Sequence, residues 1–160
     1  MKIAIDFDGT CVTHEFPKVG RDIGAVPVLK ELIRNGHQLI LYTMRSDMDE
    51  VKTDDPNIFS QSGAYLTDAI NWFKKNDIEL YSIQKDIGQE KWTESNKCYA
   101  ELYIDDAALG CPLIEPEFHR PYVDWYKVAI RLMEKGIIKK THNKIGYFRR
   151  DFDGDIIVIP

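Results

Sequence analysis

Three apolar runs, each ending in acidic or hydroxyl side chains, constrain the fold of this chain more than any other feature. They are "KIAID", which leads into Phe7 and Asp8; "HQLILYT", which ends at Thr43; and "AELYIDD", which ends at Asp105 and Asp106. Runs of this length and composition read as buried strands that stop where a polar site begins. Helical patterns lie between them. "AVPVLKELIRNG" sets Val26, Leu29, Leu32 and Ile33 on one face and closes with Gly36 as its C-terminal cap. "AYLTDAINWFKKN" does the same with Leu66, Ala69, Ile70 and Phe73, and "IELYSI" reads as another strand. Strands alternating with helices imply βαβ units and a parallel sheet. Ligands of such sheets bind beyond the carboxyl ends of the strands. Asp6, Asp8, Thr43, Asp105 and Asp106 are therefore expected on one edge, although up to a hundred residues separate them in the chain.

The rest of the chain adds structure more than chemistry. Residues 45–62 are polar, contain "DDPN" and read as a loop. "YVDWYKVAIRLMEKG" is an amphipathic helix whose stripe of Tyr122, Trp125, Ala129, Leu132 and Met133 reads as core. The motif DFDG occurs twice, at Asp6–Gly9 and at Asp151–Gly154. The second copy sits between two strand-like runs, where Asp-Gly is a hairpin signal, and a calcium loop would need glycine where Ile156 stands. It reads as a turn. The expected architecture is one α/β domain, with a core over residues 1–118 and a C-terminal helix and hairpin over residues 119–160.

Charge and cysteine content narrow the surroundings. The net charge of −5 gives no global reason for nucleic-acid binding, although residues 135–150 hold six Lys/Arg and no acid, a run that can steer an anionic substrate. Cys11, Cys98 and Cys111 are odd in number and irregularly spaced, which fits a reducing compartment better than a disulfide framework. No apolar run reaches the ~18 residues of a membrane span. The expected location is the cytoplasm, with no membrane partner.

Asp6 and Asp8 alternate with Phe7, so in an extended segment both carboxylates point the same way while Phe7 packs behind. Gly9 lets the chain bend so that successive backbone N–H groups, with that of Thr10, face an anion. Four carboxylates at one sheet edge call for a hard divalent cation, and oxygen donors of this kind suit Mg²⁺. Thr43 and Lys97 offer a hydroxyl and an ammonium for phosphoryl oxygens. Arg45, two residues past Thr43, is a candidate either to support the site from behind or to contact substrate. His14 and Cys11 lie near the loop and read as lining without a role.

This set resembles the haloacid dehalogenase-like hydrolase superfamily. "DFDGT", the threonine that ends "LILYT", Lys97 in "SNKCYAELYIDD" and the pair Asp105-Asp106 come in that family's order across residues 1 to about 114. "FPKVG" and "LYIDDAALGCPL" look like a small capless branch of phosphatases. The resemblance implies a Rossmann-like core without a sizeable cap, acting as a Mg²⁺-dependent phosphomonoester hydrolase. Asp6 would be the nucleophile that carries an aspartyl-phosphate, and Asp8 the general acid and base. Thr43 and Lys97 would hold the phosphoryl group; Gly9, Thr10 and Arg45 are, from the reading of the residues above, the substrate-binding candidates. Mg²⁺ would rest on Asp6, the Asp8 carbonyl and the pair Asp105/Asp106, of which Asp106 is the expected direct ligand. Two like charges ~4 Å apart repel by about 4 kcal/mol at an effective dielectric of ~20. That repulsion is expected to raise the pKa of Asp8, the carboxylate not bound to metal through its side chain. A phosphorylated substrate is the implied partner, with the site covered in some cases by a second copy. A catalytically silent domain that binds a phosphorylated partner or nucleic acid is the rival reading, and nucleic acid is not favoured.

Overall fold

The computed structural model describes residues 1–139, 148–150 and 156–158. In chain order the elements are β1 (Lys2–Ile5), α1 (Ala25–Arg34), β2 (Gln38–Leu41), β3 (Asp47–Met48), β4 (Gly63–Ala64), α2 (Tyr65–Lys75), β5 (Ser82–Ile83), β6 (Leu102–Ile104), β7 (Leu113–Ile114), β8 (Tyr122–Val123), α3 (Trp125–Glu134), β9 (Phe148–Arg150) and β10 (Ile156–Val158). β5, β2, β1 and β6 form a parallel sheet in that order. Three short antiparallel pairs, β3 with β4, β7 with β8 and β9 with β10, surround it. The architecture is α/β and Rossmann-like.

The strand order positions the site. The chain runs outward from β1 through β2 to β5, then crosses to the far side of β1 to lay down β6. The direction of winding therefore reverses between β1 and β6, and a crevice opens beyond the carboxyl ends of strands at such a switch point. Asp6 follows β1 and Asp105 follows β6, and the Asp6 N–H donates to the Ile104 carbonyl at 3.0 Å, which holds the two ends in register.

Both faces of the sheet are covered, which is why its strands read as unbroken apolar runs. Ile3, Ile5, Leu39 and Leu41 are fully buried with Val28, Leu29 and Leu32 of α1, Ala69 and Phe73 of α2, and Trp125, Ala129 and Leu132 of α3. Burying one such aliphatic or aromatic side chain contributes about 1.5–3 kcal/mol.

Most expected elements are present, with informative differences at their edges. The loop at residues 45–62 contains β3, which folds back onto β4. There the exposed Asp47 accepts hydrogen bonds from the N–H groups of Leu66 (2.8 Å) and Thr67 (2.9 Å), capping α2 from outside the helix. The last helix begins later than its apolar pattern suggests. Tyr122 and Val123 form β8, because Asp124 caps the helix by accepting from the Lys127 N–H at 3.2 Å. Tyr122 therefore belongs to a strand. β9 and β10 pair as the expected hairpin, and Ile156 is buried against Gly24; the Asp-Gly turn and the basic stretch 140–147 lie outside the described residues. Among the described residues no helix is long and apolar enough to cross a membrane.

Gly36 closes α1 as expected. Its φ is 79°, its N–H donates to the Ile33 carbonyl (2.9 Å), and the His37 N–H donates to that of Leu32 (3.1 Å). A Cβ there would meet nothing within 4 Å. Gly36→Ala should thus report backbone strain alone, lowering stability by about 1 kcal/mol in denaturant unfolding with an unchanged m-value.

Candidate metal and anion site

Asp6, Asp105 and Asp106 come together with one carboxylate oxygen each inside a sphere of mutual distances below 4.8 Å. Thr10 fastens this group. Its hydroxyl donates to Asp6 Oδ2 at 3.1 Å and accepts from the Asp106 N–H at 3.0 Å, and its carbonyl accepts from the Trp125 indole N–H at 2.6 Å. One residue therefore ties the β1 loop to the β6 loop and to the first turn of α3. Burial pushes the Asp6 carboxyl up to about 7, with smaller upward contributions from Asp105 and Asp106 opposing hydrogen bonds from Phe7 and Thr10. Three hard oxygen donors, one of them strained towards protonation by burial and like charge, fit a divalent cation such as Mg²⁺.

The surroundings of the two DFDG aspartates differ. The carboxyl raised by its surroundings is that of Asp6. Asp8 instead faces Arg45, whose Nε and Nη2 donate to Asp8 Oδ2 and Oδ1 at 2.6 and 2.7 Å. Arg45 is only 2 % exposed. Its Nη2 also donates to the Lys18 carbonyl at 2.7 Å, and Nη1 to those of Pro17 (3.3 Å) and Tyr65 (3.4 Å). The rings of Phe7 and Phe16 lie 5.1 and 5.2 Å from the guanidinium carbon. Arg45 thus has its charge and donors engaged by the protein itself.

The other expected contacts divide sharply. Thr43 lines the cleft with the four aspartates. Gln84 fixes its backbone, donating from Nε2 to the Thr43 carbonyl at 2.6 Å and accepting from its N–H at 3.2 Å. Gln84 does this from a φ of 65°, an uncommon conformation for a residue with a side chain. Gly9 and Thr10 do not present donors to an anion. The Gly9 N–H goes to the Val12 carbonyl (2.7 Å), the Thr10 N–H to that of Phe7 (3.2 Å), and Thr10 is fully buried. The turn closes on itself, so its amides are spent within it. Gly9 is required for a different reason: at φ 80° a Cβ would lie 2.1 Å from His14 Nε2 and 2.8 Å from Asp106 Oδ2.

Lys97 is not among the residues that line the cleft. Residues 95–99 wrap the buried side chain of Gln89, which donates to the Ser95 and Lys97 carbonyls (3.2 and 2.7 Å) and accepts from the Tyr99 N–H (2.7 Å). The Lys97 ammonium lies 5.4 Å from the centre of the Tyr103 ring. Conversely, His14 does more than line the loop, since its Nε2 is 3.0 Å from Asp106 Oδ2. His14, Phe16, Met44 and Arg120 complete a cleft of about 520 Å³ around the aspartates. Nothing in their spacing marks them in the sequence. Trp125 was legible only as core, although an indole N–H needs a partner when buried.

No family model and no curated protein matches the chain. Among solved structures, that of a conserved protein from Bacteroides thetaiotaomicron has a TM-score of 0.61 and 33% sequence identity, over 90% of this chain and 98% of that one.

Two outcomes follow from the site. In metal-free protein the Asp6 carboxyl keeps its proton up to about 7 when folded and loses it near 3.8 when unfolded. Its contribution is therefore present at low pH and lost as pH rises through that window. Thermal melts should show metal-free stability falling from pH 4 to pH 8, Mg²⁺ restoring more of it at pH 8 than at pH 5, and Asp6→Asn flattening both trends. Removing the guanidinium while leaving Asp8 in place should cost about 3 kcal/mol, so Arg45→Ala should lower the denaturation midpoint strongly, and Arg45→Ala with Asp8→Ala less than the sum of the two.

Proposed function

We propose that this chain, which belongs to the family of that conserved Bacteroides thetaiotaomicron protein, is a Mg²⁺-dependent phosphomonoester hydrolase of the haloacid dehalogenase-like type. The observation that carries the reading is the convergence of Asp6, Asp105 and Asp106 at the switch point, with Thr43 on the same cleft. Asp6, Asp105 and Asp106 would hold the cation, which supplies positive charge to keep Asp6 ionised and to polarise a phosphoryl oxygen.

The residues of the chain then divide the work. The Asp6 carboxylate attacks phosphorus, a new P–O bond forms, and the ester P–O bond breaks with its electron pair on the leaving oxygen. Water attacks the aspartyl-phosphate next and gives up its proton to Asp8. The bond from phosphorus to Asp6 breaks, phosphate leaves, and Asp8 returns the proton to solvent. Thr43 donates its hydroxyl to a phosphoryl oxygen. Arg120, on the cleft wall, supplies the positive charge that Lys97 supplies in the family pattern.

The pairing with Arg45 shapes what Asp8 can do in the first step. Both of its oxygens accept guanidinium N–H groups, at 2.6 and 2.7 Å, which fixes the orientation of the carboxylate while each oxygen keeps a second lone pair for a proton. The placement of Lys97 away from the cleft favours a second reading, a domain that holds a phosphorylated group without turning it over.

Phosphate release from an aryl phosphate decides between them. With Mg²⁺ present, release should be abolished by EDTA and fall at least about 10³-fold in Asp6→Asn. An alkyl phosphate should be hydrolysed far more slowly than the aryl ester. Equal release from wild type and Asp6→Asn would refute the covalent mechanism, and Mg²⁺ binding without release would favour the second reading.

A further inference from the structure

Beside the aspartate cleft lies a second cavity of about 230 Å³, lined by Thr13, His14, Glu15, Arg21, His119 and Arg120. His14 and Arg120 line both cavities, so the two are neighbours across one wall. Their charges are opposite in character. The cleft carries four aspartates against Arg45 and Arg120, whereas the second cavity carries two arginines, two histidines and one glutamate. Among the described residues neither Arg21 nor Arg120 forms an ion pair. In a chain of net charge −5, two unpaired guanidiniums converging on one cavity are a local inversion of sign.

The arginine on the far side of this cavity is held by its backbone. The Thr13 N–H donates to the Arg21 carbonyl at 3.0 Å, the Arg21 N–H donates to Thr13 Oγ1 at 3.1 Å, and Val12 bridges Asp22 in antiparallel register. Gly20 makes this closure fit, because a Cβ there would lie 2.1 Å from the Thr13 carbonyl oxygen. Loop 13–21 is thus pinned shut at its base. Arg21 stands at the pin, three residues beyond the Lys18 carbonyl that receives Arg45.

We infer that this cavity is a second anion subsite, and that the substrates are phosphomonoesters carrying a second phosphate, bound between Arg21 and Arg120 while the first lies against Asp6. Planar guanidinium forks match phosphate oxygens in pairs of hydrogen bonds, and an unpaired arginine loses no existing partner when it binds one. The inference rests on the reading of the aspartate cleft as a phosphoryl-transfer site. Arg21 lines the second cavity and not the cleft, so its side chain can be changed without touching the cleft.

Two measurements test it separately. The first is titration of EDTA-treated protein with inorganic phosphate, followed by NMR or calorimetry. Without metal the aspartate cleft repels phosphate, so binding reports the second cavity. Arg21→Glu should weaken that binding about tenfold or more, and Arg21→Gln by less, with both variants melting as the wild type does. The second is kcat/KM for alkanediol bisphosphates of increasing chain length against the matching monophosphates. One chain length should be preferred over its monophosphate by about tenfold or more, and Arg21→Glu should erase that preference while leaving the monophosphate unchanged. Phosphate binding that depends on Arg21, with no turnover of any ester, would keep the subsite and remove the hydrolase reading. Turnover that is indifferent to the second phosphate and to Arg21→Glu would remove the subsite and keep the hydrolase reading.

Discussion

The bidentate contact between Arg45 and Asp8 is the constraint on which the rest of the structure depends. It joins the loop after β2 to the loop after β1, and the same guanidinium takes carbonyls from residues 17, 18 and 65, fixing the approach to α2 and the fold of loop 13–21. A guanidinium with an exposure of 2 % would be costly without such partners, since a buried charge must be both paired and hydrogen-bonded. Phe7 and Phe16 close over it, which ties the aromatic between Asp6 and Asp8 to the same hub. The segments that build the cleft are thereby set against one another before any ligand arrives.

Around that hub the charges are sorted. Among Asp6, Asp105 and Asp106 the one basic side chain in contact among the described residues is His14, at 3.0 Å from Asp106, while Asp8 is met directly by the Arg45 guanidinium. These three carboxylates are the group that could hold a divalent cation, and the Asp6 carboxyl among them is raised by burial first and by Asp105 and Asp106 second. Thr10 and Trp125 hold the cluster from behind through neutral hydrogen bonds, which position the carboxylates without reducing their attraction for a cation. Arg21 lines the neighbouring cavity, and Arg120 lines both that cavity and the cleft.

Much of this was legible in the sequence because it depends on short periodicities. The parallel strands, α1 with its Gly36 cap, α2, and the meeting of Asp6, Thr43, Asp105 and Asp106 follow from apolar runs that end in polar residues. The later start of α3 was not legible, since Tyr122 fits the helical stripe and only the Asp124 cap and the pairing of β7 with β8 overrule it. Gly9 and Thr10 were read as anion donors from glycine's freedom alone. The turn instead spends its amides on the Phe7 and Val12 carbonyls, a choice made by local closure that composition does not reveal.

The sequence by itself determined the sheet, its direction and the edge at which chemistry gathers, because burial on both faces leaves an unmistakable apolar pattern and parallel connections leave few topologies. Only the tertiary structure decided which charge meets which. Arg45 and Lys97 are both cations near expected motifs, yet one lies buried against Asp8 and the other over Tyr103. His14, which in the sequence reads only as loop lining, reaches Asp106 across 92 positions of sequence. Long side chains sweep several ångströms around a fixed backbone, so ion pairs are settled by packing and desolvation among distant segments, and spacing along the chain carries little information about them.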